Sequence, residues 1–247
     1  MALRPPRVML AVFMLVALCG AGCVSPDGPA AEQSPPTGTT GQASTTAGGS
    51  DAGPKAVLML GRSVMWGWFK HWGWDGSIES MPVAKDGYSL TYREIATPPD
   101  IAASAAGFMD QAPEGSVVFF KFCFDDFPGA EDAVHRFEEQ KDWIASIVAK
   151  AEARHQRLII GNALPKADVS SDPTLVAEHR EFNEWLKDYA SNSGGTVHVY
   201  DFYGVLADSD GSLKPEYASS ADDSHPNDRG YAALDPSFFA LLADVAD

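Results

Sequence analysis

Three short runs of the chain are apolar almost throughout: Ala56–Leu60, ending at Gly61; Val117–Phe124, interrupted only by Lys121; and Leu158-Ile159-Ile160, ending at Gly161. Runs of this length with no polar face predict strands covered on both sides, as in a parallel sheet. Tyr88–Ile95 alternates and predicts another strand, broken by Thr97-Pro98-Pro99-Asp100, and Thr196–Asp201 predicts the last. Between them the period lengthens. Asp100 caps a predicted short helix to Met109, and Glu131–Arg154 carries acids first, bases last and Phe137, Ile144, Ile147 and Val148 on one stripe. Another predicted helix opens at Asp172-Pro173 and runs to about Tyr189, with Leu175, His179, Phe182 and Leu186 at helical spacing. The spacing places His179 as a packed or rim histidine. A closing helix spans roughly Asn227–Ala243. Strands alternating with helices of this length imply an α/β fold in three α/β/α layers, with a parallel sheet of about five strands and its site at the strands' C-terminal edge.

The pattern does not hold upstream of Lys55. Residues 24–54 are Ser, Thr, Gly, Pro, Ala and Gln with almost no large apolar side chain, which predicts a flexible tether. Ahead of it, Arg4 and Arg7, the apolar Val8–Leu18 and the small residues before Cys23 read as an export signal over 1–23. Gly20-Ala21-Gly22-Cys23 resembles a bacterial lipobox, which would put a lipid on Cys23; an ordinary secretory signal cut further on is the alternative. The folded domain is expected over 55–247, in a protein that is exported and held at the outer face of a bacterial cytoplasmic membrane, or secreted. Cys123 would then be the sole free thiol, a small buried hydrophobe. A net charge of -16 argues against nucleic acid as a partner, because phosphate binding needs clustered Lys and Arg.

Candidate chemistry sits at the two ends of the domain. Asp222-Asp223-Ser224-His225-Pro226-Asn227 puts a carboxylate three residues before a histidine, a geometry that can fix an imidazole for general-base work. Far upstream, Gly61-Arg62-Ser63 follows the first predicted strand and offers a nucleophile at the sheet edge. Asp125, Asp126 and Asn162 follow other predicted strands on that edge. Trp66, Trp68, Trp72 and Trp74 lie within a dozen residues of Ser63, read mainly as packing, with an exposed pair able to stack on sugar.

A Gly-x-Ser after the first strand, an Asp-x-x-His-Pro near the end and alternating α/β elements between them resemble the SGNH/GDSL hydrolase superfamily, over about Lys55 to the end. The resemblance implies a flavodoxin-like sheet, with Ser63 as nucleophile, His225 as base and Asp222 as its partner; Asp223, one residue off that spacing, is assigned to the turn. Two blocks depart from the family. Arg62 replaces an Asp beside the serine, and Phe122-Cys123-Phe124-Asp125-Asp126 lacks the asparagine whose amide donates to the oxyanion. Asp125, Asp126, Asn162 and Arg62 are the candidates for oxyanion or substrate contacts, with a backbone N–H near Thr97–Asp100 as another.

The leading expectation is a serine esterase working without metal or organic cofactor on an ester substrate, a small molecule or a surface carbohydrate, and touching membrane only through its lipid anchor. The alternative is a non-catalytic surface lipoprotein that keeps the fold and binds glycan or a protein partner. A metal hydrolase built on Asp125, Asp126, Asp222, Asp223 and His225 ranks below both, because no paired histidine spacing supports it.

Overall fold

The computed structural model describes residues 54–167 and 172–246. The expected export segment, Cys23 and residues 24–53 of the expected tether lie outside the described residues.

The continuous apolar runs form the middle of the sheet. Strand β1 (Lys55–Gly61) pairs in parallel with β3 (Tyr88–Glu94) on one side and β4 (Val117–Lys121) on the other. Beyond β4 lie β5 (Arg157–Gly161) and β6 (Val197–Tyr200), also parallel. A short strand, β2 (Val83–Lys85), which the sequence pattern did not predict, adds antiparallel to β3 and completes the order β2-β3-β1-β4-β5-β6. It is three residues long and only half-buried, so it carries no apolar signature. The five parallel strands have the flavodoxin-like order.

Strand alternation sorts the side chains onto two faces. Val57, Met59, Val117, Phe119 and Ile159 face one layer, made by α1 (Ser63–His71) and α6 (Asp228–Ala246). Leu58, Leu60, Val118, Phe120, Leu158 and Ile160 face the other, made by α2 (Ile101–Gln111), α3 (Ala133–Ala153) and α4 (Pro173–Ser191). Pro173 starts α4 where its missing N–H is no loss, and the Asp172 side chain accepts from the Leu175 N–H at 3.1 Å. A short helix, α5 (Phe202–Leu206), follows β6, and a two-stranded ribbon of β7 (Ala218–Ser220) and β8 (Asp223–Pro226) leads into α6.

Of the four clustered tryptophans, Trp68 and Trp74 are buried, Trp72 is half-buried and Trp66 is 46% exposed. Trp68 and Trp72 donate their indole N–H groups to Asp235 of α6 at 2.8 and 3.0 Å. This half-buried carboxylate contact fixes α1 against α6, and so fixes the helix that begins at Ser63 relative to the segment that carries His225. His179 is fully buried on α4, edge-on to Phe127 and Tyr203, and burial pulls its pKa down to about 3, so it packs as a neutral ring.

Candidate active site

In this strand order the chain leaves β1 for β3 on one side and then crosses to β4 on the other, so the topological switch lies between β1 and β4. The segments that leave these strands diverge there, and a cleft of 310 Å³ opens, lined by Arg62, Ser63, Glu94, Thr97, Pro98, Cys123, Asp125 and Asp126. β1 supplies Arg62 and Ser63, β3 leads to Glu94 and Thr97, and the segment after β4 supplies Cys123 and the two aspartates.

Ser63 is the first residue of α1, and the helix ladder begins with the Trp66 N–H donating to the Arg62 carbonyl at 3.1 Å. The Ser63 N–H is therefore left over by the helix, at its positive end. The hydroxyl of Ser63 is 2.8 Å from His225 Nε2, 162 residues away in the chain. On the other side of the imidazole, Nδ1 is 2.6 Å from Asp223 Oδ1, and the same oxygen accepts the His225 backbone N–H at 2.9 Å. These two bonds, the backbone N–H first and then the ring, hold the Asp223 carboxyl below the usual carboxylate range. An ionised Asp223 fixes the tautomer with hydrogen on Nδ1 and leaves Nε2 free to accept from the serine.

The partner of His225 is thus Asp223 and not Asp222. Residues 223–226 are a strand, not a turn, so positions two apart share a face and positions three apart do not. Asp222 is exposed in the hairpin between β7 and β8 and accepts instead from the Ser220 hydroxyl at 2.6 Å.

The rest of the C-terminal motif holds β8 in place. The Asn227 side chain donates to the carbonyls of Glu216 and Ala218 at 3.0 and 2.9 Å, and its oxygen accepts the Arg229 and Gly230 N–H groups at the start of α6. The Ser224 hydroxyl accepts the Ala167 N–H at 3.0 Å. Tyr231 lies against Gly67 of α1 so closely that any Cβ there would collide with its ring, which makes glycine a condition of docking the motif beside Ser63. Phe124 packs edge-on to the His225 ring with centroids 5.1 Å apart.

The four candidates for oxyanion or substrate contacts separate. Arg62, Asp125 and Asp126 line the cleft with Ser63. Asn162 does not. Its Nδ2 donates to Asp201 at 2.7 Å, its Oδ1 accepts the Tyr203 N–H at 3.0 Å, and it lines a separate groove beside α4 and α5. Both ends of that amide are used in joining β5 to the turn after β6, so it is not available as an oxyanion donor. Asp126 is buried and also committed: Oδ1 lies 2.5 Å from Arg62 Nη2, and Oδ2 accepts the Cys123 N–H at 2.8 Å. Burial works against the Arg62 charge, but the bond and charge of Asp126 outweigh it and raise the guanidinium pKa further. Asp125 is exposed at the rim. Cys123 is buried, free and part of the cleft wall. Among the described residues no three His, Cys, Asp or Glu side chains come together as a metal site.

Glu94 lines the cleft and is not among the residues the sequence pattern singles out, nor is Lys121, at the end of β4. Lys121 is wholly buried, and its one visible signal was a lysine inside an otherwise apolar strand.

No family model and no curated protein matches the chain. Solved structures do. A GDSL-like lipase from Bacteroides thetaiotaomicron superposes with a TM-score of 0.59 at 17% identity, covering 77% of this chain and 89% of the other. A member of the lipolytic protein G-D-S-L family from Veillonella parvula gives a TM-score of 0.55 at 20% identity, covering 76% and 98%. A lipase from a goat rumen metagenome gives 0.50 at 18%, covering 75% and 96%.

Proposed function

We propose, from a chain with a divergent SGNH/GDSL hydrolase-like fold, that the protein is a serine esterase acting through an acyl-enzyme at Ser63. The observation that carries this reading is the relay Ser63 Oγ–His225 Nε2 at 2.8 Å and His225 Nδ1–Asp223 at 2.6 Å, at the rim of a cleft at the switch point. A serine hydroxyl is a weak nucleophile until a base takes its proton, and His225 is within reach to do so. Ser63 Oγ then bonds to the ester carbonyl carbon while its proton passes to Nε2, and Asp223 stabilises the imidazolium. The tetrahedral intermediate collapses with loss of the alcohol, which takes the proton from His225. Water, activated by the same base, releases the acid. The Ser63 N–H, at the positive end of α1, is suited to donate to the developing oxyanion. The chemistry requires no metal or organic cofactor.

Trp66 supports an O-acylated carbohydrate as the substrate. It lies one helical turn beyond Ser63 on α1 and is 46% exposed, the one large aromatic so exposed among the described residues. A flat, solvent-facing indole beside the nucleophile is a stacking surface for a sugar ring. An outer-surface lipoprotein would meet such esters in the cell envelope.

Phe124 favours a second reading. It occupies the third-block stretch in which the resemblance implies an amide donor, and it offers the His225 ring no hydrogen bond. A non-catalytic surface protein that binds glycan through the same cleft would retain the fold and lack turnover. Hydrolysis of a short-chain aryl ester decides between the two. The esterase reading expects turnover that disappears in Ser63→Ala; turnover unchanged in Ser63→Ala rejects it.

A further inference from the structure

Beneath the wall that carries Arg62 and Asp126, the last residue of β4 places an ammonium group in the protein interior. Lys121 is fully buried and its Nζ has no hydrogen-bond partner among the described residues. The strands on either side make room for it with glycines. A Cβ on Gly61 of β1 would come within 3.3 Å of Lys121 Cγ, and one on Gly161 of β5 within 3.1 Å of Lys121 Cβ. The charged and titratable groups that act on the ammonium are Cys123, Asp126 and Arg62. Arg62 and Lys121 bring two cations to the one buried carboxylate, Asp126, so this buried group carries a net positive charge beneath a cleft whose rim also holds the exposed Glu94 and Asp125. Such a charge is costly unless the working state brings an anion to it.

The reaction proposed above supplies one. When Ser63 Oγ bonds to the carbonyl carbon, the carbonyl π pair moves onto oxygen, creating an alkoxide while the serine proton rests on His225. The alkoxide persists until the ester C–O bond breaks and the carbonyl re-forms. Beyond the Ser63 N–H, no side-chain amide lines the cleft among the described residues, because Asn162 is committed elsewhere and Asp126 is an acceptor. Arg62 is a donor with nitrogens to spare after one is taken by Asp126, and it lines the cleft next to Ser63.

We infer that Arg62 serves as the oxyanion donor in place of the missing asparagine, held in position by Asp126, and that Lys121, unbonded beneath them, is a positioning residue whose charge acts on the Arg62–Asp126 pair. The inference rests on the esterase reading. It makes Arg62 a catalytic residue and the reversal of charge beside the serine a replacement, not a loss.

The test uses kcat and KM on two aryl esters with the same leaving group, one with a neutral acyl chain and one with a carboxylate-terminated chain. Arg62→Met should lower kcat by about 10²- to 10³-fold on both, with KM changed by only a few-fold. Because that variant strands a buried carboxylate, Arg62→Met/Asp126→Asn is measured beside it; it removes both charges with little change in shape and should show the same loss while folded by circular dichroism. Arg62→Lys should recover part of the rate. Lys121→Met should lower kcat less, and should abolish the fall in rate expected of the wild type as pH rises through about 8, the value to which burial pulls the Lys121 pKa. A folded double variant with wild-type kcat on the neutral ester overturns the inference. So does a rise in KM confined to the carboxylate-bearing ester, which would make Arg62 a substrate anchor. A wild type inert towards both esters and towards a fluorophosphonate fails the esterase reading itself, and this inference with it.

Discussion

Replacing Lys121 should make the protein more stable, and the gain should vanish at high pH. Lys121 has no exposed surface, and burial pulls its pKa from 10.5 to about 8 against the opposing influence of Cys123 and Asp126. The folded state therefore binds this proton less tightly than the unfolded state does. Below pH 8 the lysine is charged in both states and the full cost of burying the charge is felt. Between pH 8 and 10.5 the folded protein has released the proton while the unfolded chain still holds it, so stability rises with pH across that window. At about 1.4 kcal/mol per pH unit the cost amounts to about 3 kcal/mol. Lys121→Met keeps a similar unbranched chain in the slot between Gly61 and Gly161 and removes the charge, so repacking should cost below about 1.5 kcal/mol. Urea unfolding of wild type and Lys121→Met at pH 7 and pH 10.5 measures the difference, and comparison at each pH cancels titrations common to both proteins. The expected result is a variant more stable by about 2–3 kcal/mol at pH 7 and near parity at pH 10.5. A destabilised variant at pH 7, or a difference that does not change with pH, would refute the reasoning, because it would mean that the ammonium is partnered or solvated.

Three further outcomes follow from the geometry. Asp223→Asn should reduce kcat on an aryl ester by about 10²- to 10⁴-fold, since an amide no longer fixes the imidazole, while Asp222→Asn should stay within about a few-fold of wild type. Asn162→Ala removes both hydrogen bonds of its amide and should cost about 1–3 kcal/mol in urea unfolding with little change in turnover. Trp66→Ala should raise KM for an acetylated oligosaccharide by up to about tenfold, and far more than KM for aryl acetate, if the indole stacks on sugar.

The parts of this fold that obey a period were readable in the chain. Each continuous apolar run became a central parallel strand, and α3 and α4 begin and end within a few residues of the stretch their stripes predict. The proximity of Ser63 and His225 was legible too, because both follow elements that end at one sheet edge. Where the sequence misled, local geometry outweighed spacing. A three-residue separation favours Asp222, but Ser220 and Asp223 pair in an antiparallel ribbon, and the alternation of β8 turns Asp223 towards the ring. Val117–Phe124 looked like one strand, yet the ladder ends at Lys121 and a 3-10 turn at Phe124–Asp126 turns Asp126 inward to Arg62. Asn162 followed a strand on the correct edge, but β5 lies one strand beyond the switch point, where the groove belongs to α4 and α5. The pairing of Arg62 with Asp126 was not legible at all, because it depends on a contact between residues 64 positions apart that no local pattern encodes.

The most direct measurement of the central claim is covalent capture of Ser63. A fluorophosphonate reacts with a serine only when a neighbouring base activates its hydroxyl, so intact-mass and peptide analysis after treatment report the relay itself and not a bulk activity. The wild type should form one adduct, on the peptide containing Ser63, absent from Ser63→Ala and strongly slowed in His225→Ala. No adduct on a folded wild-type protein, or one that survives Ser63→Ala, would contradict the claim.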